Sequence, residues 1–225
     1  MHAIILAAGL GMRMRPLSDA LPKPLLRVGG KPLMQYHIEA LARAGVSEIV
    51  VNHGRMGNRI EAEFGSGATF GVNIRYSPEG DEPLETGGGI RHALPLLGEG
   101  PFIAVNGDIW TDYDFAALPA SPGGLAHIVL VANPPHHPRG DFVLVDGRAR
   151  GAGSPRHTYS GIAVYRPQLF VPLPDGERQP LAPLLRGAMA AGRVSGELFC
   201  GKWADAGTPE RLRALDEALS CSPDS

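Results

Sequence analysis

The segment Gly9-Leu10-Gly11-Met12-Arg13-Met14-Arg15-Pro16 follows directly on an apolar run, Ala3 to Ala8. Its glycines permit a tight turn whose main-chain N–H groups, from Leu10 to Met12, can point at an anion. Arg13 and Arg15 add permanent positive charge. No Gly-Lys-Ser/Thr follows, so this is not a P-loop, and the third glycine of the dinucleotide fingerprint is absent. Lys23 stands between Pro22 and Pro24, fourteen residues after Gly9. Two prolines predict extended backbone around it, and the lysine can return to the same strand end. Asn106-Gly107-Asp108 closes another apolar run. In open α/β sheets ligands bind beyond the carboxyl ends of strands, and an aspartate there can hold a hard cation through oxygen. A second acid, Asp205, lies in Trp203-Ala204-Asp205-Ala206-Gly207-Thr208-Pro209-Glu210. It is 97 residues from Asp108, so the two can meet only in the fold. Gly87-Gly88-Gly89 opens a helix and lets something flat or bulky approach the main chain closely.

These residues need a frame. Ala3 to Ala8, Glu48 to Asn52 and Pro101 to Val105 are short continuous apolar runs, the pattern of strands buried on both faces. Val72 to Tyr76 alternates as a strand. Leu33, Met34, His37, Ile38 and Leu41 recur at three and four within a helix over Pro32 to Ala44, stopped by Gly45. Met56, Ile60 and Phe64 mark a second helix, and Ile90, Leu94 and Leu97 a third. The order β-α-β-α-β-α-β argues for a largely parallel sheet with helices on both faces. Beyond Asp112, strands are expected at Ala126 to Ala132, Phe142 to Val145, Gly161 to Tyr165 and Ser195 to Trp203. A helix is expected over Leu181 to Ala191. A last helix starts at Thr208-Pro209-Glu210, where Thr caps, Pro suits the first turn and Glu meets the positive end. The expectation is a Rossmann-like three-layer α/β/α sandwich with a mixed, mostly parallel sheet. One domain should cover 1–219, followed by a disordered tail at 220–225.

Together, Gly9, Gly11, Arg13, Pro16, Pro22, Lys23 and Pro24 resemble the G-x-G-x-R-x-x-P and P-K-P signature of the sugar-1-phosphate nucleotidyltransferases. Trp203 to Glu210 is similar to the W-x-D-x-G-T-P-E motif of the same family. Met12 departs from the family's usual Thr or Ser and removes a hydroxyl, leaving main-chain amides to meet phosphate. The resemblance implies Mg²⁺ held by Asp108 and Asp205. It implies a nucleotide bound by Gly9, Leu10, Gly11, Met12, Arg13 and Lys23, with Glu79 and Gly80 at the base edge and Gly87 near base and ribose. Lys23 and Arg13 are the implied catalytic cations. Asn106 and Asp141 are implied at the sugar. Arg139 is the nearest candidate for a sugar-borne carboxylate, with His136-His137 behind it. The runs Ser77 to Ile90, Asn106 to Asp114 and Leu125 to Phe142 fit a branch that joins UTP to N-acetylmuramate 1-phosphate (MurNAc 1-phosphate). Mannose or GlcNAc 1-phosphate or phosphocholine, with GTP, CTP or dTTP, is the alternative.

Composition narrows the field further. The 225 residues are 44% hydrophobic and 20% charged with a net charge of −2, which excludes intrinsic disorder and leaves no basic excess for nucleic acid. No run approaches the ~18 apolar residues of a membrane span. The apolar start lacks a basic region before it. Two cysteines, Cys200 and Cys221, fit reduced thiols. A cytoplasmic monomer or weak dimer acting on small molecules is expected. The pair His136-His137 is not expected to bind zinc: neighbours on an extended chain face opposite ways, and no third ligand is spaced to help.

Overall fold

The computed structural model describes residues 1–220. Its elements run β1 (His2–Leu6), α1 (Leu17–Ala20), β2 (Arg27–Val28), β3 (Lys31–Pro32), α2 (Leu33–Arg43), β4 (Glu48–His53) and α3 (Gly57–Phe64). Next come β5 (Asn73–Pro78), α4 (Glu85–Leu97), β6 (Phe102–Asn106), β7 (Ile109–Thr111), β8 (Ala126–Val131), β9 (Val143–Val145) and β10 (Arg148–Arg150). The chain ends with β11 (Thr158–Tyr165), α5 (Leu181–Ala190), β12 (Val194–Phe199), β13 (Trp203–Asp205) and α6 (Pro209–Ser220).

Nine strands form one sheet in the order β5-β4-β1-β6-β11-β8-β12-β10-β9. Only β11 and β10 run against the others, so the sheet is mixed and mostly parallel, as expected. Period two divides β1 between two cores. Ala3 and Ile5 face the side of α2 and α3, and Ile4 faces α4 and α5. The strand is therefore apolar throughout because both its faces are covered. Among the described residues, no helix is long and apolar enough to cross a membrane.

A third, smaller core decides where the glycine loop sits. Met14, Leu26, Val28 and Leu33 pack with Ala206, just after β13, and with Leu212 and Leu215 of α6. Met14 is buried while Met12 is exposed, so the loop is nailed down by one methionine and presents the other.

Four expectations are corrected. The stretch from Ser195 to Trp203 is two strands in two sheets. β12 pairs with β8, and β13 leaves through Cys200-Gly201-Lys202 to pair antiparallel with β7. Lys23-Pro24-Leu25 is a single 3-10 turn, not extended backbone: Pro22 is extended, and the Leu26 N–H then donates to the Lys23 carbonyl. The glycine triplet lies inside α4, which starts two residues earlier at Glu85. Ser220 still belongs to α6, and the rest of the expected tail, 221–225 with Cys221, lies outside the described residues. The short strands β2, β3, β7 and β10 had no sequence signal of their own, being two or three residues long.

Candidate active site

The carboxyl ends of β1, β4 and β6 open into a cleft of about 440 Å³. Its lining includes Gly9 to Met14, Lys23, Asn52, Glu79, Glu85, Asn106, Asp108 and Arg178. The glycine loop enters it directly from β1. Gly11 adopts φ 62°, the left-handed region that favours glycine. Its carbonyl accepts hydrogen bonds from the Met14 N–H and the Ser18 hydroxyl, both at 2.8 Å. Arg13 sits on the short 3-10 turn that follows, exposed, with its side chain on the cleft wall.

Asp108 follows a second close approach. The Gly107 N–H donates to the Leu6 carbonyl at 2.8 Å, and a Cβ at Gly107 would lie 2.9 Å from that oxygen. Only glycine brings the ends of β1 and β6 this near. Lys23 Nζ then donates to Asp108 Oδ2 at 2.6 Å across 85 residues of sequence. The lysine side chain is 11% exposed and the aspartate 38%, so the carboxylate is the more open partner.

Asp205 stands on β13 opposite Ile109 of β7, one position from Asp108, and the Ala206 N–H donates to the Asp108 carbonyl at 2.8 Å. The fold thus carries both acids on one ribbon. The Asp205 carboxylate accepts from the Gly207 N–H at 3.0 Å and from Arg211 Nη1 at 3.1 and 3.2 Å. His136 Nε2 lies 2.6 Å from its Oδ2. The histidine pair does split: His136 turns to Asp205, and His137 turns to Asp141 at 3.1 Å. Among the described residues no three His, Cys, Asp or Glu side chains gather as a metal cluster. Asp108 lines the cleft and Asp205 does not, although Gly207 beside it does. Both Asp205 oxygens are held by Gly207, Arg211 and His136, so of the two acids Asp108 is the one open to a hard cation, whose preferred ligands are carboxylate, phosphate and water oxygens.

The opposite wall holds Glu79. Its Oε1 accepts from Asn52 Nδ2 at 2.6 Å and its Oε2 from the Leu84 N–H at 2.7 Å. Asn52 in turn accepts from the Ala7 N–H at 2.8 Å. Burial raises the pKa of Glu79, and the two donated hydrogen bonds oppose that rise. Glu79 lines the cleft, but each oxygen already has a partner inside the protein. Gly87 and Gly80 do not line it. A Cβ at Gly87 would lie 2.7 Å from the Gln179 carbonyl oxygen, and one at Gly88 would overlap the Glu177 carbonyl. What approaches the triplet closely is the chain's own segment 177–180, and the Gly88 N–H donates to Gln179 at 3.0 Å.

On the sugar side, Asn106 lines the cleft and packs on Gly161, which has φ 87° in a bulge of β11. Bulges of this kind re-aim side chains beside sites. Asp141 accepts from the Tyr159 N–H at 2.9 Å and lies off the cleft. Arg139 lines a separate shallow hollow with Asn133 and Arg156. Sequence reasoning missed Asn52, Glu85, Arg178, His136 at Asp205, and Arg211. Asn52, a polar residue ending the apolar run Glu48 to Val51, was the one with a readable signal. Arg178 pairs with Glu85 at 2.9 Å on the cleft lining, and nothing in 93 residues of separation announced it.

Comparison with known proteins adds three findings. A family model described as nucleotidyl transferase matches residues 2–145. The chain is 50% identical over 221 residues to the N-acetylmuramate alpha-1-phosphate uridylyltransferase of Neisseria meningitidis serogroup B, covering 95% of this chain and 96% of that one. It is 36% identical to the protein of the same name from Caulobacter vibrioides, over 97% and 96% of the two chains. Among solved structures, a putative glucose-1-phosphate thymidylyltransferase from Bacillus anthracis shares the fold. Its TM-score is 0.85 at 20% identity, covering all of this chain and 98% of that one.

Proposed function

The chain belongs to the nucleotidyl transferase family, and from that membership we propose that it transfers UMP from UTP to N-acetylmuramate α-1-phosphate, releasing pyrophosphate. The observation that carries the reading is the convergence of three distant segments on one cleft: the glycine loop, Lys23 and Asp108, with Asp205 on the strand paired to the one that follows Asp108. Half-identity along nearly the whole length to a uridylyltransferase supports the choice of substrates.

The chemistry is in-line displacement at phosphorus. An oxygen of the sugar phosphate forms a bond to the α-phosphorus of UTP, and the bond from that phosphorus to the bridging β-phosphate oxygen breaks. The second pKa of a phosphate monoester is ~6, so the attacking oxygen is already ionised near neutral pH and needs no general base. The barrier is repulsion between two polyanions and charge growing on the leaving group. Catalysis is then positioning and electrostatics. Arg13 and the amides of Leu10 to Met12 neutralise the β- and γ-phosphates. Lys23, released from Asp108, meets the α-phosphate. Asp108 and Asp205 would hold Mg²⁺, which supplies charge neutralisation at the phosphates of both substrates. Asn106 orients the sugar. Asp141, committed to Tyr159 and His137, acts by shaping the loop that carries His136. Arg139 would need a substrate group extending well away from the acids. In the cell this is a cytoplasmic reaction of cell-wall recycling, carried out by a monomer or weak dimer.

Pyrophosphate release tests the reading. UTP, GTP, CTP and dTTP are each offered with MurNAc 1-phosphate, GlcNAc 1-phosphate, mannose 1-phosphate and phosphocholine. The expected result is turnover with UTP and MurNAc 1-phosphate far above every other pair, abolished by a metal chelator. Equal or faster turnover with GTP and mannose 1-phosphate overturns it.

A further inference from the structure

The ribbon that carries the two acids has carbonyls its own ladder cannot satisfy, and that of Ile109 is on a buried residue. The Ala206 N–H donates to the Asp108 carbonyl, and the Asp112 N–H donates to the Lys202 carbonyl. These bonds set the alternation of an antiparallel pair: 108 with 206 and 112 with 202 are bonded positions, so 109 with 205 is an unbonded one. The Ile109 carbonyl therefore points away from β13. Ile109 is 2% exposed, so water does not reach that oxygen freely. A buried carbonyl without a donor is strongly disfavoured.

The donor comes from α2. His37 Nε2 lies 2.8 Å from the Ile109 oxygen, which requires the proton on that nitrogen. His37 occupies one of the apolar-stripe positions of α2, 2% exposed, with its ring edge-on to Phe115. Burial pulls its pKa down to about 4, so the ring is neutral near pH 7. A leucine would serve the stripe as well as histidine does; the imidazole adds a hydrogen bond. The start of the same helix is tied to the lysine turn, since the Leu33 N–H donates to the Leu26 carbonyl at 2.9 Å. α2 thus spans from the segment of Lys23 to the ribbon of Asp108 and Asp205.

We propose that His37 is a positioning residue for the two acids: by tethering Ile109 to α2 it sets where the ribbon presents Asp108 and Asp205 relative to Lys23. The inference rests on the reading of these acids as metal ligands. It goes beyond that reading in naming a buried residue, remote from any substrate, that controls their geometry.

The test measures Mn²⁺ bound by the protein alone, by electron paramagnetic resonance, beside turnover and thermal melts. His37→Leu removes the donor and keeps apolar bulk, and His37→Gln keeps an N–H donor. The expected result is a cooperatively folded His37→Leu protein that binds Mn²⁺ about tenfold more weakly. Its kcat falls by a similar factor, its KM for UTP stays within about twofold of wild type, and His37→Gln recovers most of the loss. A folded His37→Leu protein with wild-type Mn²⁺ affinity and kcat overturns the role. If His37→Leu does not fold, His37→Asn, whose shorter amide falls short of Ile109, is compared with His37→Gln; equal Mn²⁺ affinity in those two overturns it equally. Wild-type protein that binds no Mn²⁺ overturns the metal reading instead.

Discussion

The cleft is flanked by two glycine-rich segments that use the same residue in opposite ways. Gly9 and Gly11 form an open loop on the cleft wall, and a Cβ at Gly9 would meet nothing within 4 Å. Gly87, Gly88 and Gly89 are buried in α4, where added Cβ atoms would collide with the chain's own carbonyls and with Glu79. The first segment leaves room for a ligand. The second is already filled by segment 177–180 and the Glu79 carboxylate. Glycine in a sequence says that something comes close; only the fold says whether it is substrate or self.

If the loop flank does the chemistry, its cation matters most. Lys23→Ala should lower kcat/KM by about 10²–10³, the size of one lost electrostatic contact to the transition state, ~3–4 kcal/mol. The far-ultraviolet circular dichroism spectrum and the melting temperature should stay near wild type. Near-normal turnover would remove the loop flank from the mechanism.

The triplet flank should instead respond in stability. Gly88→Ala drives a methyl into the Glu177 carbonyl, backbone that cannot swing away. The expected loss is about 1–3 kcal/mol, or roughly 3–10 °C in melting temperature for a chain of this size. Activity per folded molecule, measured well below the melting point, should change much less than in Lys23→Ala.

Acid probes the two flanks with opposite signs. Under the loop flank, His37 takes a proton near pH 6.5 when unfolded but only near 4 when folded. Unfolding therefore takes up a proton in that window, and stability falls as pH falls, by at most ~1.4 kcal/mol per pH unit. Under the triplet flank, Glu79 has a pKa raised by burial. The folded state binds its proton first, so this group gains stability as pH falls through the raised value. Denaturant melts from pH 7 to 4 should show a shallower decline in His37→Gln and a steeper one in Glu79→Gln than in wild type.

The smallest effect belongs to Gly9→Ala. With open space around the added methyl, stability should move by less than about 0.5 kcal/mol. The KM for UTP should still rise, by about two- to tenfold, because the methyl intrudes where phosphate approaches the amides.

Much of the frame was legible because burial writes itself in alternation and runs. The apolar stretches at Ala3, Glu48 and Phe102 became adjacent strands β1, β4 and β6, and their carboxyl ends carry Gly9, Asn52 and Asp108. Lys23 was legible as a cation bound for the same rim, although its turn was not: proline restrains its own φ and its predecessor, yet the Leu26 to Lys23 hydrogen bond still closes a 3-10 turn. The partners of Asp205 were not legible. His136 and Arg211 reach it through loop and helix placement that no local pattern encodes. Nor was the split of Ser195 to Trp203, since the change of partner from β8 to β7 after Phe199 is set by which strand each segment meets in the fold. His37 read as one more member of an apolar stripe, and its partner appears only when the ribbon is in place.

In the proposed function phosphate belongs to the loop flank. A crystal structure with Mg²⁺ and a UTP analogue that resists transfer at the α-phosphate tests it most directly. The triphosphate should lie along the amides of Leu10 to Met12, with Lys23 Nζ moved from Asp108 to hydrogen-bond distance of the α-phosphate. A triphosphate seated instead against Gly87 to Gly89, with the Lys23–Asp108 pair intact, would contradict it.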